Sequence, residues 1–255
     1  MLSGKKIVVM GVANKRSIAW AIARAFHDAG AELVFTYQNG RFKDKVEKLV
    51  GEEDMSGSLL LPCDVSEDAE LDNLAEELKS RCGRINGVVH SIAYANKEEL
   101  AGLFADTSRD GFLLAHNVSA YSLVAVTQRL YPLMEEGSSI ITLTFQGSQR
   151  VVPNYNVMGV AKASLEASVR YLAADLGPHG IRVNAISAGP IKTLSAKGVR
   201  NFNRLLDGIE EKTPLRRLAT ADDVADTALY LAADMSRAVT GAIHYVDCGY
   251  HIMGT

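Results

Sequence analysis

The alternation of short apolar runs with longer helical patterns is the feature that most constrains the fold of this chain. The runs are nearly continuous in Val, Ile and Leu, which is typical of strands buried on both faces of a parallel sheet. Seven strands are predicted, at 5–10, 32–37, 58–63, 85–90, 139–144, 181–187 and 242–247. Helices are predicted between them, near 17–29, 41–50, 67–82, 109–135, 154–176 and 222–233. The pattern therefore predicts an α/β fold, a doubly wound parallel sheet of about seven strands flanked by helices.

Composition bears on the number of domains and excludes some classes of partner. The 255 residues contain no linker or repeat, so we predict one domain covering 1–255. A net charge of −3 gives no basic signature of the kind that nucleic-acid-binding proteins carry. The three cysteines have no metal-ligand spacing, and the apolar run near the N-terminus is too short to cross a membrane. We therefore expect a cytoplasmic protein with no metal, no nucleic-acid partner and no membrane partner.

Tyr155 and Lys162 form the most informative pair of side chains, on the helix predicted at 154–176. Their separation is close to two turns at about 3.6 residues per turn, so the two side chains share one helix face. A phenol beside an ammonium is a suitable proton donor, because the positive charge favours the phenolate that remains. The alternative is a buried tyrosine and a surface lysine without a common role.

Three residues after the first strand are suited to binding a dinucleotide. Gly11 allows a tight turn, and Ser17 occupies the N-cap position of the following helix. The amides of Ser17 and Ile18 would then face the pyrophosphate. The spacing is not G-x-G-x-x-G, so an ordinary strand–helix loop is the alternative.

The residues after the second and third strands would meet the adenosine half of such a ligand. Gln38 is neutral and can hydrogen-bond ribose hydroxyls, whereas a 2′-phosphate favours arginine, and Arg41 alone is ambiguous. Asp64 would either accept from an adenine amino group or cap a turn or helix, a role for which Ser66 competes. Both interpretations of Asp64 stay open.

The later strand ends offer few catalytic groups. His90 ends the fourth strand and is predicted to be a hydrogen-bonded core histidine rather than a catalyst. Thr193 follows the sixth strand and offers a hydroxyl to a ligand. Lys197, Arg200 and Arg204 then recur at helical spacing, either as a solvated helix face or as a docking surface for an acidic partner.

Taken with their neighbours, these residues resemble the short-chain dehydrogenase/reductase superfamily. Within it, the chain is similar to the NADH-dependent FabI type of bacterial enoyl-acyl-carrier-protein reductase of type II fatty acid synthesis. The similar segments, which span essentially the whole chain, are GVANKRSIA (11–19), FTYQN (35–39), CDV (63–65), HSIAYA (90–95), NYNVMGVAKASLEASV (154–169) and RVNAISAGPIKTLSAKG (182–198). Most of the superfamily has Tyr-x3-Lys. Here Gly159 occupies that position, and Lys162 gives the Tyr-x6-Lys spacing of the enoyl reductases.

The resemblance implies a Rossmann-like sheet that binds NADH, with NADPH as the less favoured cofactor, and reduction of trans-2-enoyl thioesters on acyl carrier protein. Tyr155 would hydrogen-bond the thioester carbonyl, and Lys162 would hold the nicotinamide ribose. A homotetramer and a substrate-binding lid at 194–210 are also implied. The implied cofactor-binding residues are Gly11, Ser17, Ile18, Gln38, Asp64, Val65, Ile92, Lys162, Ile191, Lys192, Thr193, Leu194 and Ser195. The implied substrate-binding residues are Ala95, Phe145, Tyr155, Met158 and Phe202.

Three residues depart from the family pattern. Phe145 stands where the family usually has a second tyrosine, which removes one hydroxyl from the rim of the site. Ala21 replaces a usual glycine, and Cys248 stands where Gly or Ser is more frequent. Two alternative functions remain. One is a carbonyl-reducing member of the superfamily, which Gly159 disfavours, and the other is a catalytically weak dinucleotide-binding regulatory protein, which Phe145 suggests.

Overall fold

A computed structural model describes residues 1–191, 193 and 208–254 of the chain. The strands in this part are β1 (Lys6–Met10), β2 (Glu32–Tyr37), β3 (Leu59–Pro62), β4 (Ile85–His90), β5 (Met134–Thr144), β6 (Arg182–Ala188) and β7 (Ile243–Val246). They form one sheet in the order β3-β2-β1-β4-β5-β6-β7, and every neighbouring pair is parallel. The predicted doubly wound α/β fold is confirmed.

Helices cover both faces of the sheet. They are α1 (Ile18–Asp28), α2 (Gly40–Glu52), α3 (Asp68–Cys82), α4 (Arg109–His116), α5 (Ser122–Leu130), α6 (Asn156–Leu176), α7 (Ile209–Lys212) and α8 (Ala221–Ala232). Helices α1, α2 and α8 share one apolar core with the sheet, and α3, α5 and α6 share a second core on the other face. A parallel sheet requires this arrangement, because its connections must cross over its faces.

Strand β1 shows why the apolar runs predicted the sheet. Ile7 and Val9 lie in the first core, Val8 and Met10 lie in the second, and none of the four is more than 2% exposed. Successive side chains of a strand point to opposite faces, so only a run that is apolar at every position can serve two cores.

The strand order reverses between β1 and β4, and ligands of open parallel sheets bind beyond the carboxyl ends of the strands at such a point. Gly11 follows β1 and Ser91 follows β4. Their backbones approach so closely that a Cβ on Gly11 would lie 2.0 Å from the Ser91 carbonyl oxygen. Gly11 also has φ of +93°, a conformation that favours glycine. The predicted tight turn after the first strand is confirmed.

The helix predicted near 109–135 is interrupted. A π-helical turn, Asn117–Tyr121, separates α4 from α5. Within it, the buried hydroxyl of Ser119 accepts from the Tyr94 amide at 2.9 Å and donates to the Tyr94 carbonyl at 3.0 Å. Local periodicity does not reveal this contact with the loop after β4. π-Helical turns often mark functional sites.

Two of the three departures from the family pattern lie away from the Tyr155–Lys162 pair. Ala21 is buried in the first core, where its methyl group is accommodated. Cys248 has φ of +58°, in the left-handed region where glycine is favoured.

No helix in the described ranges is long and apolar enough to span a membrane. The same residues contain no cluster of three or more His, Cys, Asp or Glu side chains that could hold a metal ion.

Candidate active site

The loop between β1 and α1 is organised by the side chain of Ser17. Its Oγ accepts from the amides of Ala13 and Asn14, both at 3.1 Å, so it braces the loop rather than capping the helix. Ser17 is the N-cap residue, as predicted, but its own amide donates to the Asn14 carbonyl and is not free for an anion. The amide of Ile18 donates to no acceptor within the described chain. Helix α1 therefore presents this amide at its positive end.

Gln38 and Asp64 meet beyond the ends of β2 and β3. Gln38 Nε2 donates to Asp64 Oδ2 at 2.8 Å, while Asp64 Oδ1 accepts from the amide and the hydroxyl of Ser66. Partial burial alone would raise the pKa of Asp64, but the hydrogen bonds from Ser66 and Gln38 lower it. The turn-capping interpretation of Asp64 is thus observed. The amide nitrogen of Gln38 is thus engaged by Asp64, and its carbonyl oxygen is the group left to accept from ribose hydroxyls. Val65, the next residue, is buried.

The end of β4 combines a neutral histidine with small side chains. His90 is fully buried, and its ring nitrogens are hydrogen-bonded to Thr142 Oγ1 at 3.0 Å and Ser122 Oγ at 2.8 Å. Burial lowers the pKa of His90 to about 3, so the ring is neutral. The prediction of a core histidine is confirmed. Ile92 and Ala95 follow in half-buried positions.

Lys162 lies two turns into α6 and is only 5% exposed. Its Nζ donates to the Leu143 carbonyl of β5 at 2.7 Å, which uses one of its three donors. Burial lowers the pKa of Lys162 to about 8, although the carboxylate of Glu166 raises it. Lys162 is therefore a buried, partly desolvated cation, not the surface lysine of the alternative interpretation.

Tyr155 is the N-cap residue of α6. Its ring packs between the ring of Phe145 and the backbone of Gly147. The Phe145 ring contacts it edge-on, with centroids 5.1 Å apart. Gly147 lies against the same ring, since a Cβ there would be 2.6 Å from Tyr155 Cδ1. Burial raises the pKa of the Tyr155 phenol, which keeps the hydroxyl protonated and able to donate.

Gly159 explains why the lysine is not found four residues after the tyrosine. A Cβ at Gly159 would lie 2.7 Å from the Gly147 carbonyl oxygen. The 3-10 turn Gln146–Ser148 therefore occupies the space that a side chain at this position would need. A lysine at 159 is excluded unless the turn moves, and Lys162 is the next lysine on the helix.

Gly159→Ala is expected to lower the free energy of unfolding by about 1–3 kcal/mol, because the added methyl overpacks the contact with Gly147. Chemical denaturation measures this. Gly177→Ala is the matched control: it lies at the end of the same helix with φ of −52°, and no atom lies within 4 Å of its Cβ position. Equal stability of the two variants would contradict the proposed contact.

A small apolar cluster adjoins Tyr155. It is formed by the buried residues Leu100, Ala115, Val157, Met158 and Ala161, with Ala95 and Tyr155 packed against it. Three of the residues expected to contact substrate, Ala95, Tyr155 and Met158, are thus brought together. Phe145 reaches the same place through its contact with Tyr155.

The segment after β6 is described only in part. Ile191 and Thr193 are half-buried, and the Thr193 amide donates to the Ile191 carbonyl at 2.8 Å. The other residues expected here lie outside the described residues, as does most of the lid predicted at 194–210: Lys192, Leu194, Ser195, Lys197, Arg200, Phe202 and Arg204.

Sequence reasoning missed several contacts that shape the site. Ser148 and Thr144 both donate to the buried carboxylate of Glu166, on the same helix as Lys162. Gly147 supports the Tyr155 ring, and Ser119 anchors the loop after β4. A glutamate one turn after a predicted catalytic lysine was the available signal for Glu166.

The fold and these residues define a class of protein. A doubly wound parallel sheet, a glycine turn at its switch point, and a tyrosine and a buried lysine on one helix characterise a dinucleotide-dependent oxidoreductase of the short-chain dehydrogenase/reductase type. The family model described as "Enoyl-(Acyl carrier protein) reductase" matches residues 11–251. The chain belongs to this enoyl-acyl-carrier-protein reductase family.

Individual relatives are similar over their full lengths. The chain is 59% identical to the enoyl-acyl-carrier-protein reductase (NADH) FabI of Bacillus subtilis, across 98% of this chain and 97% of that protein. It is 52% identical to the corresponding NADPH enzyme of Staphylococcus aureus, across 98% of each. The crystal structure of the Bacillus cereus enoyl-acyl carrier protein reductase with NADP+ and indole naphthyridinone matches with a TM-score of 0.97 at 59% identity, across 100% of this chain and 99% of that one.

Proposed function

We propose that this protein reduces the trans-2 double bond of an enoyl thioester carried on acyl carrier protein, using NADH, in fatty acid synthesis. The observation that carries this proposal is that the buried Lys162 lies on the helix that begins at Tyr155, while the Gly147 carbonyl fills the space beside Gly159. This arrangement is specific to the Tyr-x6-Lys spacing, and it agrees with the names of the relatives.

Features of the site fit a dinucleotide. The close approach of Gly11 to Ser91 keeps side-chain atoms out of the switch point. The Ile18 amide at the N-terminus of α1 suits a pyrophosphate. Lys162 has two ammonium donors besides the one that Leu143 accepts, and these suit the hydroxyls of a ribose. Bound there, NADH would supply the hydride for the β-carbon of the substrate, and the α-carbon would take up a proton that comes ultimately from solvent.

Tyr155 performs the polar part of the reaction. Its hydroxyl donates to the thioester carbonyl oxygen, on which negative charge develops as the β-carbon is reduced. A donor aimed at developing oxyanion charge is a large source of rate enhancement. Burial keeps the phenol protonated until that moment.

The carbonyl-reducing alternative is disfavoured by two contacts. The Gly147 carbonyl occupies the position that a lysine at 159 would need. Ser148, the hydroxyl that such an enzyme would use beside its tyrosine, donates to Glu166 at 2.6 Å. The regulatory-protein alternative is disfavoured by the buried Lys162, since a desolvated cation without a task is costly to keep.

NADH is the cofactor in this proposal, and Gln38 supports the preference. Asp64 lies 2.8 Å from its amide nitrogen, so the groups nearest the ribose are a carboxylate and a carbonyl oxygen. Both would repel a 2′-phosphate. The Staphylococcus aureus relative is named as an NADPH enzyme, so Arg41 remains the residue through which NADPH could be accepted.

The remaining parts of the proposal concern organisation. The protein is proposed to be one domain, 1–255, with 194–210 as its lid, and to act in the cytoplasm, where its three free thiols would persist. It is proposed to form a homotetramer. The large apolar side chains exposed on and beside α4 and α6 support self-association; these are Phe112, Leu113, Tyr121, Val160 and Tyr171.

The test of the function is an assay of NADH oxidation. Crotonyl thioester is expected to consume NADH, whereas acetoacetyl thioester, a substrate for carbonyl reduction, is not. Oxidation with acetoacetyl thioester alone would favour the carbonyl-reducing alternative. Tight NADH binding without oxidation by either thioester would favour the regulatory protein.

Phe145→Tyr is expected to change kcat by only a few-fold, because Phe145 contributes ring packing while Tyr155 supplies the hydrogen bond. A hydroxyl acting as general acid would contribute about 10²–10⁴-fold. Steady-state kinetics on crotonyl thioester across pH measures the difference. The double variant Phe145→Tyr/Tyr155→Phe is the matched control, since it has the same composition with the hydroxyl relocated. An inactive wild type that Phe145→Tyr restores would refute the prediction.

A further inference from the structure

The carboxylate of Glu166 is buried beside the catalytic residues, yet the reaction above does not use it. Glu166 lies on α6, four residues beyond Lys162, and is only 4% exposed. A carboxylate is costly to bury unless hydrogen bonds and a nearby cation compensate. Its neighbours therefore show what it holds in place.

Two hydroxyl groups donate to the same oxygen of this carboxylate. Thr144, the last residue of β5, donates to Glu166 Oε1 at 2.7 Å, and Ser148 donates to it at 2.6 Å. Ser148 is the last residue of the 146–148 turn. Glu166 thus ties helix α6 to the end of a central strand and to the turn that follows it.

The 146–148 turn is the surface on which Tyr155 rests. The Tyr155 ring packs on Gly147, and the Gly147 carbonyl packs on Gly159. Ser148 is the next residue, so a hydrogen bond that holds Ser148 also holds this surface. Displacement of the turn would change the position of the Tyr155 hydroxyl.

Lys162 is linked to the same carboxylate by charge. Residues four apart on a helix are neighbours on its surface, and both side chains are buried. Both side chains also form hydrogen bonds with successive residues of β5. The Lys162 ammonium donates to the Leu143 carbonyl, and the Thr144 hydroxyl donates to Glu166. The negative charge of Glu166 raises the pKa of Lys162, against the effect of burial.

We propose that Glu166 is a positioning residue for both catalytic groups: it holds the 146–148 turn against the Tyr155 ring and keeps the Lys162 ammonium charged where the cofactor binds. The inference rests on the proposed function for the roles of Tyr155 and Lys162. The Glu166 carboxylate thus acts on Tyr155 through the position of the turn and on Lys162 through its charge.

Other titratable groups near the pair come from neighbouring elements. His90 of β4 senses the Lys162 charge but is itself neutral, and Tyr245 of β7 senses Glu166. Strand β5 and the 146–148 turn contribute a carbonyl and two hydroxyls, none of which carries a charge. The charged side chains of α4 and of the 97–100 turn, which also pack on α6, are not among the groups that shift the pKa of Lys162: Lys97, Glu98, Glu99, Arg109 and Asp110.

Two variants separate the two effects. Glu166→Gln keeps an oxygen that accepts from Thr144 and Ser148 but removes the charge. The pH at which NADH affinity is lost, measured by fluorescence titration, is expected to fall by about one unit or more. Ser148→Ala keeps the charge but releases the turn. It is expected to lower kcat about tenfold or more, since small misplacements of reacting groups cost up to about a hundredfold, and to leave the pH profile of NADH binding unchanged.

Asp175→Asn is the matched control, because it removes one negative charge from an exposed position of the same helix. It should leave both measurements unchanged. A wild-type pH profile in Glu166→Gln, or a wild-type kcat in Ser148→Ala, would overturn the proposal. Losses that are the same in both variants and follow their unfolding temperatures would also overturn it, because they would indicate a structural role only.

The NADH titration does not require turnover. If the wild type fails to reduce any enoyl thioester, the proposed function is wrong, and the titration of Glu166→Gln still decides whether Glu166 controls the charge of Lys162.

Discussion

Tyr155→Phe is expected to lower kcat for crotonyl thioester by about 10²–10³-fold and to leave NADH affinity unchanged. The variant removes one oxygen and keeps the ring, which packs edge-on against Phe145 at 5.1 Å and on Gly147. The fold should therefore be retained, while the oxyanion loses its donor. Steady-state kinetics gives kcat, and fluorescence titration gives NADH affinity.

The control for this variant is Tyr131→Phe, in the 3-10 turn Tyr131–Leu133 before β5, where the tyrosine is 37% exposed. It removes the same atom from a position outside the site and should leave kcat unchanged. A Tyr155→Phe enzyme with the kcat of the wild type would show that another group donates to the thioester. In that case neither Tyr155 nor its support by the 146–148 turn would explain the rate.

The strands were predictable because each apolar run packs against two cores, one on each face of the sheet. The predicted ranges 32–37 and 85–90 coincide with β2 and β4, since the buried residues of such a run, which are most of it, face one apolar layer or the other. The break between α4 and α5 was not predictable. It coincides with the hydrogen bonds between Ser119 and Tyr94, which lie 25 residues apart, while the apolar periodicity of 109–130 continues without interruption.

The site was predictable where a residue acts through its place at a strand end. Gly11 and Gln38 follow strands directly and Asp64 lies two residues beyond β3, so a parallel sheet must bring them to one edge. The detail of their hydrogen bonds was not predictable: the Ser17 amide is engaged by Asn14, and Asp64 is engaged by Gln38 and Ser66. The assignments of individual residues to cofactor and substrate stay predictions.

Glu166 and Gly147 were missed for a different reason. Their roles arise from contacts between segments that sequence does not show to be neighbours, since Glu166 meets Ser148 across 18 residues and Thr144 across 22. Two glycines flank Tyr155, at 147 and 159, and together they leave room for its ring and for the turn. The spacing of tyrosine and lysine therefore agrees with the packing. The 146–148 turn fills the space beside position 159, and the lysine is found one helical turn later, at 162.

Lys162→Met is expected to weaken NADH binding by roughly 10–100-fold, because hydrogen bonds from a charged group contribute about 1.5–3 kcal/mol. Methionine keeps an apolar stem like the one that is buried here, so any loss of NADH affinity is due to removal of the ammonium group. The unfolding temperature should change little, since the Leu143 carbonyl loses its donor while the cost of a desolvated charge is also removed. Lys79→Met, at an exposed position of α3, removes the same charge and should leave NADH affinity unchanged. If Lys162→Met bound NADH as tightly as the wild type, the buried ammonium would serve Tyr155 alone. Its effect would then appear in kcat, and the fit of this site to a ribose would have to be explained by other residues.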